Sequence, residues 1–181
     1  MGEDGFRMQS TASLPVTVRL TRAADLPALE WYGLYTHMRE VIQSAFRAQT
    51  RGDVAMLVAD INGFPAAQAW VDFVRKSRLG LATVWAVRVF PPFQRGGLGT
   101  LVMQAAEREV LRRGMGEAEL GVDRDNAGVL SFYRRLGYVT AGSERGCFAY
   151  RTPDGTPVEV MVDQWLLRKR LVTERPRLAV R

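Results

Sequence analysis

Apolar and polar positions alternate over residues 16–20, the period of a half-buried strand. Residues 21–27 then read as a turn into a helix, with Pro27 suited to a first helical turn and Asp25 or a neighbour to its cap. Leu29, Leu34, Met38, Val41, Ile42, Ala45 and Phe46 continue at spacings that predict one bent helix or two, ended by residues 50–53. Residues 54–60 and 65–74 read as strands joined at Asn62-Gly63, a hairpin signal. A basic turn at 75–80 precedes a strand at 81–89, rich in Val and Trp. Pro91 and Pro92 lack the N–H a ladder needs and stop that strand. A long helix follows over 97–113, its apolar stripe formed by Leu98, Leu101, Val102, Ala105, Ala106 and Val110. The remaining pattern is a short strand at 117–122, a helix at 127–136 closed by Gly137, and strands at 138–150 and 157–167 around an Asp154-Gly155 turn.

This order predicts a single α/β domain with a mixed, strongly twisted sheet of about seven strands and helices on both faces. Residues 1–14 read as a flexible arm, 15–169 as the domain and 170–181 as a basic tail. No repeat or second domain is visible, as expected for 181 residues. Apolar and charged shares of 47% and 24% place the chain among ordinary soluble globular proteins. No apolar run approaches the ~18 residues of a membrane span. The start, Met1-Gly2-Glu3-Asp4-Gly5, lacks the basic and apolar parts of a secretory leader, so a cytoplasmic location is expected. The single cysteine, Cys147, excludes an internal disulfide, and no His/Cys/carboxylate cluster has metal-ligand spacing.

The net charge of +6 invites a nucleic-acid reading, but five of those charges sit at residues 168–181. A basic tail can hold a polyanion. With no aromatic interleaving and no basic recognition helix, nucleic acid is not the expected partner.

The chemistry is concentrated at the entrance of the long helix. Gln94-Arg95-Gly96-Gly97-Leu98-Gly99 brings three glycines to a helix start, where amides lack partners and the dipole is positive. Glycines let a phosphate approach, and Arg95 adds a fixed cation, so the loop reads either as a pyrophosphate cradle or as a flexible entry into the helix. It is not a triphosphatase loop, because no Gly-Lys-Ser/Thr follows, nor a dinucleotide fingerprint, because Val102 occupies the third glycine position.

Gln94-x-x-Gly97-x-Gly99 resembles the acetyl-CoA signature of the GNAT superfamily of acyl-CoA-dependent N-acyltransferases. A second block, Asn126-Ala127 through Tyr133-x-x-x-Gly137-Tyr138, is similar to a later motif of the same family. The resemblance covers residues 16–168. It implies a splay between the fourth and fifth strands that receives the pantetheine arm of acetyl-CoA, with Val87 and Val89 as backbone partners. It implies that Arg95, Gly96, Gly97, Leu98, Gly99 and Thr100 bind the pyrophosphate behind Gln94, and that Arg134 or Arg135 reaches the adenosine phosphate unless it is simply a solvated helix face. Asn126 then serves as pantetheine ligand, helix cap or both.

The reaction so implied is acetyl transfer to a primary amine by direct attack in a ternary complex, without a metal. Strand-four amides would hold the oxyanion, and Tyr133 would protonate the leaving thiolate. The plainer reading of Tyr133 is a core aromatic. The family often uses a strand-four glutamate as base, and strand 81–89 has none. Glu119, Asp72, His37 and Glu30 are the alternatives, beside a water relay. Trp31, Tyr32, Tyr35, His37, Cys147, Phe148 and Tyr150 are candidates for the acceptor pocket. The missing acid keeps open an acyl-CoA-binding protein without transferase activity. The family's frequent dimers make a homodimer a further expectation.

Overall fold

A computed structural model describes residues 13–171. Most of the expected arm and nearly all of the expected basic tail, residues 1–12 and 172–181, lie outside the described residues. Seven strands form one sheet: β1 (Thr17–Leu20), β2 (Val54–Ile61), β3 (Phe64–Asp72), β4 (Leu81–Val89), β5 (Glu117–Asp123), β6 (Val139–Arg151) and β7 (Pro157–Arg170). The spatial order is β1-β2-β3-β4-β5-β7-β6. Only β4 and β5 run parallel, and every other neighbouring pair is antiparallel.

Helices α1 (Arg39–Arg51), α2 (Leu98–Arg112) and α3 (Ala127–Arg135) cover the two faces. On one face Ile42 and Ala45 of α1 pack with Leu29, Met56, Val58 and Trp70. On the other, Val102, Met103, Ala106 and Val110 of α2 and Tyr133 of α3 pack on Ala67, Ala69, Val84 and Leu120. The α/β class and the helices on both faces are as the hydrophobic pattern predicts. No helix among the described residues is long and apolar enough to cross a membrane.

Two expectations are corrected. The segment before α1 is not a helix or a helix pair but three short 3-10 turns, at Ala23–Asp25, Ala28–Glu30 and Thr36–Met38. Trp31 and Tyr32 adopt left-handed backbone (φ 46° and 54°), followed by Gly33 at φ 100°, which breaks helical propagation. The Trp31 indole holds this break by donating to Pro65 O at 2.8 Å. Likewise, Arg170 is not the start of a tail, and with Arg168 and Lys169 it lies in β7, which runs past the expected end at residue 167. There Arg168 pairs with Glu119 (2.6 Å) and Lys169 with Glu107 (2.7 Å).

The expected splay is present. Between β4 and β5 the ladder runs only from Leu81↔Glu117 to Thr83↔Glu119. Beyond it β4 is bulged: Gln68 faces Arg88 and Trp70 faces Trp85, leaving Ala86 and Val87 opposite Ala69 alone. Ala86 takes φ 50°, and the bulge bends β4 away from its neighbour. Meanwhile β5 continues against β7 as far as Asp123↔Gln164. The β4 edge after Thr83 therefore faces a gap with its backbone groups unclaimed by β5.

Candidate active site

Two helices begin where the sheet opens. α2 follows the C-terminal end of β4 and α3 that of β5, so both N-termini lie at the same end of the gap, the usual ligand crevice of such sheets. The loop between β4 and α2 closes first on itself, with Phe93 N donating to Phe90 O (2.8 Å) and Gln94 N to Pro91 O (3.2 Å). From Arg95 to Thr100, no amide donates to a carbonyl among the described residues. The first that does is Leu101 N, to Gly97 O at 3.1 Å. Arg95 at φ 64° and Gly97 at φ 82° reverse the chain around Gly96, a left-handed alternation of the kind that gathers amides into a concavity suited to an anion.

The remaining side chains of the motif have separable roles. Gln94 Nε2 donates to Val89 O at 3.2 Å and ties the loop to the strand it leaves. Arg95, Gly96 and Gly97 are exposed, whereas Leu98 is buried and offers only its amide. A Cβ on Gly99 would stand 3.4 Å from the Phe132 ring and 3.6 Å from Val89 Cγ2, already in van der Waals contact, so a larger side chain would press on α3 and β4. Thr100 is half-buried one residue further on. Val87 and Val89 pack their side chains into the α2-side core, leaving only backbone for the gap.

On the α3 side, Asn126 caps the helix, its Oδ1 accepting from Val129 N at 3.1 Å. This satisfies the cap reading of Asn126. Tyr133 is buried between Phe132 and Tyr138, with ring centroids 5.0 and 5.9 Å away. That satisfies the core-aromatic reading, and burial pushes its phenol well above the ordinary value. Arg134 and Arg135 are exposed on α3, and Arg135 donates to Ser131 at 2.9 Å.

On the opposite face of the sheet a cleft of about 480 Å³ runs beside the same splay, walled by α1, β4, β5 and the β6–β7 hairpin. Of the aromatic candidates, Phe148 lines it together with Cys147. Tyr35 stacks on Arg88, which also lines it. Trp31 is buried core and Tyr32 lies exposed on Phe64, so neither lines it. Tyr150 lines a neighbouring cavity of about 510 Å³ between α1 and β6, with His37 6.1 Å from its ring.

The carboxylates named as candidate bases are committed elsewhere. Asp72 accepts from Val74 N and Arg75 N, both at 2.8 Å. Glu30 is held by Arg39 and by Thr36 at 2.8 Å. Glu119 lines the cleft at 1% exposure. Although burial pushes its carboxyl up, hydrogen bonds from Lys76 and Arg168 prevail and hold it below the ordinary value. Sequence reasoning did not foresee Lys76 and Arg168 beside Glu119, nor Arg88 on the cleft wall. The only local signal was a charged residue inside the otherwise apolar run Val84-Trp85-Ala86-Val87-Arg88-Val89.

A family model described as the acetyltransferase (GNAT) family matches residues 20–138. An uncharacterized N-acetyltransferase of Methanocaldococcus jannaschii is 29% identical over 93 residues, 49% of this chain and 40% of that protein. The chain spans less than half the length of the curated relatives it matches. Among solved structures, the ribosomal-protein-S18-alanine N-acetyltransferase of Escherichia coli superposes with a TM-score of 0.65 at 24% identity, over 92% of this chain and all of that one. A putative acetyltransferase of Salmonella typhimurium, solved with acetyl-CoA, gives 0.67 at 18% identity over 92% and 99%. At these identities the structural likeness is one of fold.

Proposed function

The chain belongs to the acetyltransferase (GNAT) family, and from that premise we propose that it transfers an acetyl group from acetyl-CoA to a primary amine within a ternary complex. The observation that carries this reading is the run of unpaired amides from Arg95 to Thr100 beside the opened β4 edge. A pyrophosphate suits such a concavity, where amides and the α2 dipole favour negative charge and Arg95 adds a cation. The pantetheine arm suits the unclaimed β4 backbone around Val87 and Val89, with Asn126 at its far side. The presence of acetyl-CoA in the Salmonella structure of like fold supports the same choice of cosubstrate.

Acetyl-CoA supplies an activated acyl group as a thioester. The chain's residues and solvent do the rest: β4 amides on the gap stabilise the oxyanion, the attacking nitrogen passes its proton to water in the cleft as the C–N bond forms and the C–S bond breaks, and Tyr133 donates a proton to the leaving thiolate and is reprotonated from that water. A phenol is protonated at neutral pH, as a proton donor must be, and burial favours that neutral form further. The amine enters from the cleft on the other face, beside the same splay.

Release of CoA from acetyl-CoA, followed with a thiol reagent across a panel of amines, tests the reading. Turnover that collapses in Tyr133→Phe supports it. Tight acetyl-CoA binding without turnover on any amine would instead support an acyl-CoA-binding protein, a reading favoured by the engagement of Glu119 with two cations.

A further inference from the structure

The following rests on reading the cleft as the acceptor side of an acetyltransferase. Among its β4 side chains are a guanidinium, an indole and a hydroxyl, and no carboxylate. Arg88 owes its place there to the bulge: with Val87 and Val89 packed in the α2-side core, Arg88 lies on the cleft side, directly opposite Gln68. Its guanidinium stacks 4.2 Å from the Tyr35 ring centroid. Among the described residues no carboxylate pairs with it, because the two acids on the cleft are already taken. Glu119 is held by Lys76 and Arg168, and Glu144 lies 3.6 Å from Arg75. Burial lowers the Arg88 pKa, yet a guanidinium starting above ~12 stays charged at neutral pH.

The neighbouring groups are short of partners too, the Trp85 and Trp70 indoles as donors only, Thr83 and Gln68 as donors and acceptors both. Thr83 and Trp85 line the cleft, and Thr83 Oγ1 and Trp85 Nε1 are buried with no protein partner. Behind them Gln68, 1% exposed, has both amide atoms unpartnered, as has Trp70 Nε1. Buried polar groups are costly when unmatched, and an indole N–H or a guanidinium can be matched only by an acceptor. An alkylamine arrives as a cation, and a wall with surplus positive charge repels it unless it brings its own negative group.

We propose that the acceptor is an amine bearing a carboxylate, and that Arg88 binds that carboxylate and so orients the amine toward the splay. The planar fork of Arg suits a carboxylate in bidentate fashion, and the Tyr35 ring fixes the plane of the fork. Free amino acids and short peptides with an acidic side chain near the N-terminus share this chemistry.

The test compares matched acceptors in the CoA-release assay at saturating acetyl-CoA. One arm pairs free amino acids with their amides, and the other pairs N-terminal acidic dipeptide amides with their Gln or Asn counterparts. The carboxylate member is expected to be preferred on the order of 10- to 100-fold in kcat/KM, in the arm that holds the natural class. Arg88→Gln should erase the preference with acetyl-CoA affinity unchanged, and Arg88→Lys should restore part of it. Calorimetry of the CoA-loaded protein with the N-acetyl derivatives of the same pairs reads the contact without turnover. Equal handling of both members, binding of neither, or a preference that survives Arg88→Gln would overturn the proposal. Failure of the unmodified protein to bind acetyl-CoA would overturn the acetyltransferase reading itself, and this inference with it.

Discussion

Tyr133 and Arg95 are the two residues whose backbone and burial say most about the chemistry. Tyr133 is buried, so its neutral form is favoured and it remains a proton donor where an exposed phenol would begin to ionise. Tyr133→Phe keeps the packing against Phe132 and Tyr138 but removes the proton. Its kcat is expected to fall by roughly 10²- to 10⁴-fold, with acetyl-CoA affinity unchanged by calorimetry. A variant that keeps most of its kcat would assign Tyr133 to the core alone. Arg95 occupies left-handed backbone, which a side chain adopts at a cost of about 1 kcal/mol and glycine adopts freely. Arg95→Gly should therefore leave the unfolding free energy within about 1 kcal/mol of the parent while weakening acetyl-CoA binding by about 5-fold. Urea titration and calorimetry read the two effects separately. An unchanged affinity would leave the amides, without the guanidinium, as the whole of the cradle.

At the scale of the element, α2 begins close to Phe132 and Val89, where a Cβ on Gly99 would already be in van der Waals contact. A leucine there would press on Phe132 and Val89, forcing α2 away from α3 and β4. Gly99→Leu is expected to destabilise by about 1–3 kcal/mol and to weaken acetyl-CoA binding as well, measured by urea unfolding and thermal shift. Loss of stability with full affinity would separate the packing of α2 from the site.

The strands, the two proline-stopped and glycine-opened ends of the β4–α2 loop, and the capped start of α3 were legible because neighbouring residues dictate them. The stretch before α1 was not. Its apolar spacing is helical, but Trp31 is turned inward by a hydrogen bond to Pro65, and Tyr32 lies over Phe64, more than thirty residues away in each case. The face taken by Arg88 was equally hidden. A strict period of two misassigns side chains beyond a bulge, and no glycine marks the bulge, since Ala86 itself takes the positive φ. Glu119 was visible as an acid, but the cations that occupy it come from positions 43 and 49 residues away.

For the molecule as a whole, these ion pairs set the pH range of stability. Asp25 is held down by hydrogen bonds from Arg19, Glu30 by Arg39 and Glu109 by Arg112, while at Glu119 burial is outweighed by Lys76 and Arg168. Carboxylates with depressed folded pKa values contribute stability above the unfolded value of about 4, and it is lost as pH falls through the folded values. Tyr133 and Tyr138 are raised by burial. Their contribution is complete below the unfolded value of about 10 and is lost as pH climbs past it toward the folded values. The urea midpoint should thus be flat between roughly pH 5 and pH 9 and fall on both sides. Tyr133→Phe should lessen the alkaline fall, and an alkaline limb unaltered in that variant would contradict the assignment.

The proposed activity depends on the amides at the start of α2 cradling the pyrophosphate of acetyl-CoA. Thermal unfolding of the parent and of Gly97→Trp, with acetyl-CoA, CoA, ATP or NAD, tests it most directly. Gly97 sits at φ 82° with open space where a Cβ would go, so a Trp there strains the loop and crowds its surroundings without striking the core. The melting temperature is expected to rise with acetyl-CoA and CoA alone, and not in the variant. No response to either CoA ligand, or an equal response in the variant, would contradict it and leave the glycines as no more than the entrance to a helix.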